Sequence, residues 1–184
     1  MAIQYLSIYP KSGFLNSVNM QAAPFKSFID VDAPEFAQPG QMADKLFAFC
    51  DRTGQKRPDG LGEMIRCVNE SIALSYRVNI DALEGILGYR LQELRVVGGG
   101  IKNRSLMAMA SCALGRPVRT GPDEASSAGN ILAQLLALGE IKDRWEARAI
   151  VANSFGDQLY EPVAPEASAW DEALGRYNET VRGM

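Results

Sequence analysis

Three consecutive glycines, Gly98, Gly99 and Gly100, separate an apolar run at 94–97 from a helical pattern that begins after Asn103. Glycine has no Cβ and accepts positive φ, so the chain can turn sharply and expose its N–H groups there. The following helix start adds unpaired donors and the positive end of a dipole, and Asn103 can cap it. Strand, glycine turn and helix N-terminus together suit an anionic or planar ligand, although the same pattern also serves as an ordinary turn. A second stretch is residues 125–129 (ASSAG), where Ala125 to Gly129 place small side chains on the first turn of a helix. A flat ligand could approach closely there; the plain alternative is tight packing of helix on sheet.

Other reactive groups are few. The chain has no histidine, which excludes Ser-His and Cys-His nucleophiles and every histidine metal site. Its three cysteines, Cys50, Cys67 and Cys112, are far apart and form no CxxC, which argues against a disulfide framework or a zinc site. Chemistry, if present, must come from carboxylates, lysine, backbone dipoles or a borrowed group. Asp30, Asp32, Asp44 and Asp123 are available, but Asp123 follows Gly121-Pro122 and reads as a helix cap. With 184 residues, 47% of them hydrophobic, the chain can bury a single substantial core. A net charge of −3 gives no electrostatic case for nucleic acid or an anionic membrane. No apolar run is long enough to span a bilayer, and the free cysteines fit a reducing cytoplasm.

Around the glycine turn the elements read as follows. Residues 1–24 carry Pro10 and a Lys11-Ser12-Gly13 cluster and form no regular pattern, like the tail of something preceding. Residues 25–31 fit a short strand or an extended arm, and 41–52 a short helix. Pro58-Asp59-Gly60 opens the longest helix, 61–87, with an apolar stripe from Leu61 through Ile65, Val68, Ile72, Tyr76 and Leu83 to Leu87, and Gly88 as its cap. The stripe reads as core. The apolar strand at 94–97, bounded by helices, implies a parallel sheet covered on both faces. A helix over 104–114, a strand at 118–120, a helix over 124–138, a helix ending near 147–151 and an amphipathic helix over 165–182 complete the pattern.

Taken together, ESIALSY (70–76), VVGGGIKNRSL (96–106), GRPVRTGPDEASSAGNILAQ (115–134) and Tyr160-Glu161-Pro162 resemble the C-terminal part of the FGGY carbohydrate kinases, most closely the rhamnulokinase branch. The resemblance covers roughly residues 25–162. It implies an α/β chain that is the C-terminal lobe of an actin-like ATPase (ribonuclease H-like) fold, incomplete, helix-rich and with a small, partly parallel sheet. Residues 25–162 are then the nucleotide-binding lobe and 163–184 a C-terminal helix. It also implies an ATP-dependent kinase that phosphorylates a ketose such as rhamnulose, with ATP and Mg in the complete enzyme. Carried over, Gly98 and Gly99 form the turn, Gly100 lies at positive φ against the adenosine phosphate region, Asn103 contacts the nucleotide, and Ala125 to Gly129 back the adenine. The family's first phosphate-binding turn, sugar pocket and catalytic aspartate belong to an N-terminal lobe that has no counterpart here. The chain is therefore expected to be a fragment or a truncated product that binds ATP or ADP, lacks activity alone, and self-associates through uncovered apolar surface.

Two other readings stay open at this point. In a dinucleotide-binding module Gly98 and Gly100 would hold a pyrophosphate, but Asn103 replaces the third glycine and the Asp123-Glu124 pair starts a helix instead of ending a strand. An interaction domain without a ligand would use an exposed sheet edge to bind another chain.

Overall fold

The computed structural model describes residues 21–183. The irregular segment expected at 1–24 therefore lies almost wholly outside the described residues. Two helices pack as the centre of the molecule: α3 (Gly60–Leu87) and α4 (Arg104–Leu114). They are preceded by α1 (Pro34–Ala37) and α2 (Met42–Arg52). After α4 come α5 (Ala125–Leu138), α6 (Arg144–Ser154) and α7 (Ala167–Tyr177), the last continuing as a wider turn, Asn178–Arg182.

The sheet is small and mixed. Strand β1 (Leu94–Val96) runs parallel to β2 (Val118–Thr120), with Leu94 opposite Val118 and Val96 opposite Thr120. Helix α4 makes the crossover that a parallel pair requires. A third strand, β3 (Leu159–Tyr160), pairs antiparallel with β2; the sequence pattern predicts no strand there. Period-two alternation divides the sheet faces: Leu94, Val96, Val118 and Thr120 point one way, Arg95 and Arg119 the other.

Helix α4 is buried along almost its whole length because its residues are small or apolar on every side; Leu106, Met107, Ala110, Ala113 and Leu114 all lie in the core. Gly115 ends it at φ 59°. Residues 25–31 form no strand. They are an irregular arm with turns at 24–25 and 31–32, whose backbone is held by side chains: Phe25 N–H donates to Glu70 Oε2 (2.9 Å), Phe28 N–H to Gln55 Oε1 (2.7 Å) and Ile29 N–H to Ser71 Oγ (3.0 Å). Across the arm, Trp170 of α7 packs edge-on against Phe25 at 4.8 Å.

The long stripe of α3 is core only in its middle, for Leu61 at its start is 49% exposed. Ile65 and Ile72 are buried, but Leu83, Ile86 and Leu87 are 42%, 84% and 40% exposed. At 1.5 Å per residue α3 is about 42 Å long and outruns the core it packs on. Its far end is tied by Glu84, which accepts Leu91 N–H (2.6 Å) and pairs with Arg116, whose Nη1 also donates to Leu91 O (2.7 Å). No helix among the described residues is long and apolar enough to cross a membrane.

Candidate functional site

Strands β1 and β2 end side by side and their exits are cross-tied. Gly121 N–H donates to Val96 O and Gly98 N–H to Pro122 O, each at 2.9 Å. Gly98 itself stands at φ 87°, ψ −179°, a region that only glycine occupies without strain. From there Gly99–Lys102 make one tight turn, with Ile101 N–H on Gly98 O (3.2 Å) and Asn103 N–H on Gly100 O (3.1 Å). The residue that requires glycine is thus Gly98. Gly100, expected at positive φ, is not among the positive-φ positions; it sits inside the turn, where the tight hydrogen bonding sets an ordinary φ.

Asn103 caps α4 as the sequence implied. Its Oδ1 accepts Leu106 N–H (3.1 Å) and Ser105 Oγ–H (3.2 Å), while its Nδ2 donates to Asn69 Oδ1 of α3 (2.9 Å). Asp123 is not the helix cap that its position promised. Its carboxylate faces Lys102 Nζ at 2.9 Å, and α5 starts after Glu124 without a side-chain cap. Lys102 holds the Asp123 carboxyl below its usual range, and Asp123 raises the Lys102 ammonium in return. The ion pair closes the two strand exits over each other.

Ala125 and Gly129 lie at the start of α5. None of the residues of α5 is buried, Gly129 is exposed, and a Cβ on it would meet nothing within 4 Å. The small side chains therefore do not serve tight packing of helix on sheet in this chain. They leave the helix start open next to the Gly121-Pro122 exit.

Beside the strand ends, on the face bearing Arg95, is a cavity of about 600 Å³ lined by Arg95, Val97, Gly121, Arg148, Val151 and Phe155, among others. Gly98, Gly99, Gly100, Asn103, Ala125 and Gly129 are not among its lining residues, so the glycine turn forms its rim at most through Val97 and Gly121. Sequence reasoning missed this cavity because its far wall is α6, a helix distant in sequence. At its rim Gly121 and Val97 approach closely: a Cβ on Gly121 would come within 2.9 Å of Val97 Cγ1.

The arrangement, parallel strands ending in tied glycine exits with helices on the sheet, is that of an actin-like ATPase lobe. Two solved structures share it: the xylulose kinase from Rhodospirillum rubrum (TM-score 0.62, 19% identity, 96% of this chain and 35% of that one) and Plasmodium falciparum glycerol kinase with ADP (TM-score 0.60, 17% identity, 94% and 35%). The profile of the FGGY family of carbohydrate kinases, C-terminal domain, matches residues 8–138. The chain belongs to this family. It is 35% identical over 159 residues to a rhamnulokinase of Bacteroides thetaiotaomicron, covering 86% of this chain and 32% of that protein. It is 39% identical over 139 residues to a rhamnulokinase of Enterococcus faecalis, covering 74% and 28%. The chain thus spans about a third of the length of these relatives.

Proposed function

We propose that this chain is the nucleotide-binding C-terminal part of an ATP-dependent sugar kinase acting on a ketose such as rhamnulose, and that it has no kinase activity alone. The observation that carries the reading is the glycine-only conformation of Gly98 at the exit of β1, cross-tied to the exit of β2. A side-chain-free turn of this kind lets backbone N–H groups come close to phosphate oxygens. The space fits the group: a Cβ built on Gly98 or Gly99 meets no atom within 4 Å. In this reading Gly98 and Gly99 set the turn, Gly100 and Asn103 lie along the adenosine phosphate region, and Ala125 and Gly129 flank the adenine. ATP supplies the phosphoryl group to be transferred, a reaction that depends on positioning and charge stabilisation. Among the described residues no three acidic or cysteine side chains converge as a metal site.

Calorimetry with ATP, ADP and NAD on the 184-residue chain, with a rhamnulose phosphorylation assay alongside, tests the proposal. ATP and ADP should bind, NAD should not, and no sugar phosphate should form. A folded chain that ignores ATP, or one that phosphorylates rhamnulose, refutes it. We further propose that the exposed apolar residues of α5, among them Ile131 and Leu138 (59% and 75% exposed), are covered by self-association.

A further inference from the structure

Asn69 lies on the buried stretch of α3, 1% exposed, and faces the start of α4. Its hydrogen bonds follow from those of its neighbour. Asn103 must turn its carbonyl oxygen toward the first turn of α4, where Oδ1 accepts Leu106 N–H and Ser105 Oγ–H. That leaves the Asn103 amino group facing α3, and only an acceptor can answer it. Asn69 Oδ1 does so at 2.9 Å. The orientation of the Asn69 amide is thereby fixed as well, and its own Nδ2 is buried with no acceptor in hydrogen-bond reach among the described residues. A buried donor without a partner is unfavourable. At this position an apolar residue would remove that unpartnered donor but leave the Asn103 amino group unpaired in its place, so stability alone does not favour the asparagine.

We propose that Asn69 is a positioning residue for the nucleotide site: its carbonyl locks the Asn103 carboxamide in one of its two orientations and so fixes the polar side chain that follows the glycine turn. This rests on the nucleotide reading above. Without an acceptor on α3, the Asn103 amino group would be left unpaired against the core, and the carboxamide would turn to seek other partners. The turn from Gly100 to Asn103 is joined through Asn103 N–H and would move with it. Local rules give way to function at such places, where a locally unfavourable choice serves a binding geometry.

Asn69→Leu keeps the branched shape and removes both polar atoms, whereas Asn69→Asp keeps the acceptor and, buried as it is, carries a proton on the oxygen that replaces Nδ2. On the full chain, ATP should bind Asn69→Leu at least tenfold more weakly, about 1.4 kcal/mol, with a melting temperature close to that of the wild type, because one unpartnered donor replaces another. Asn69→Asp should stay within threefold of wild-type affinity. A merely structural asparagine predicts the opposite pattern, a fall in melting temperature with ATP affinity unchanged, and that result overturns the proposal. So does an Asn69→Asp variant that folds but loses as much affinity as Asn69→Leu. Should Asn69→Leu fail to fold, the Asn69→Asp affinity and NMR of the wild type decide. The Asn103 carboxamide should give one sharp, slowly exchanging proton pair, and averaging between two orientations overturns the inference. Failure of the folded wild type to bind ATP removes the nucleotide reading itself and this inference with it. Equal binding by wild type and Asn69→Leu removes this inference alone.

Discussion

Replacing Gly98 by alanine separates conformational need from crowding at the turn. A Cβ on Gly98 meets no atom within 4 Å, so the added methyl causes no clash. What it disturbs is the backbone at φ 87°, ψ −179°, where a non-glycine residue costs roughly 1–3 kcal/mol. Alanine also lowers the entropy of the unfolded chain, which returns roughly 0.4–1 kcal/mol. The net loss is then roughly 0–2.6 kcal/mol; at the middle of that range, about 1.3 kcal/mol, the melting temperature falls by roughly 3–5 °C for a chain of this size. If the backbone relaxes to a negative φ instead, Gly98 N–H leaves Pro122 O, and a loss of roughly 0.5–1.5 kcal/mol replaces the strain. Gly99→Ala is the matched control. Gly99 is not at positive φ, and its added Cβ also meets nothing, so only the entropic gain remains. Thermal denaturation of the two variants should give shifts of opposite sign. Equal melting temperatures would refute the claim that Gly98 is held in a glycine-only conformation.

Glu84 gives a pH prediction. Arg116 first, and then the Leu91 N–H, hold its carboxyl below the ordinary value of 4.5, so the stability it contributes is complete above the unfolded pKa and is lost as pH falls through the folded one. Melting temperatures from pH 7 down to 3 should therefore decline less steeply in Glu84→Gln than in the wild type, and parallel curves would count against the pairing. Sedimentation from micromolar to millimolar concentration should show association of the wild type that Ile131→Glu and Leu138→Glu weaken; a wild type that stays monomeric across that range rules out self-association through α5.

What could be read from the residues divides along local and distant interactions. The ends of α3 and α4 were legible because Gly88, Asn103 and Gly115 act on the turns adjacent to them, and the strands at Leu94 and Val118 because they are short apolar runs between such signals. The two-residue strand β3 was not. Too short for any alternation, it exists because Thr120 N–H finds Gln158 O at 2.9 Å and Gln158 N–H finds Thr120 Oγ1 at 3.0 Å, a pairing 38 residues apart. Asp123 misled for a related reason: capping is a local preference, and Lys102 from the other strand exit outcompetes it. The Asn69–Asn103 contact joins residues 34 apart, and nothing in the immediate neighbourhood of either announces it. Nor did the apolar pattern of α3 or α5 reveal how far each would extend beyond the core.

The two faces of the sheet differ in what holds them, and the glycine turn lies where they meet. On one face Leu94, Val96 and Val118 belong to or pack against a continuous core with α3 and α4. On the other, Glu93 bridges Arg95 and Arg119, each at 2.9 Å, and Arg119 reaches Asp157 at 2.8 Å. Such exposed ion pairs add little to stability, because water and salt screen them. Helix α6, which walls the cavity on this side, contributes no buried residue from within its own span, and neither does α5, so this part of the molecule rests on little packing. Regions with few buried contacts open at lower free energy than the core. Gly98 is fixed from the well-packed side through β1 and α4, whereas Gly121 leads directly into the loosely held α5. The cross-tie between their exits therefore couples a rigid half of the site to a compliant one. A ligand held by the turn would meet preset geometry at Gly98 and Asn103, and would find adaptable surroundings at Ala125 and Gly129.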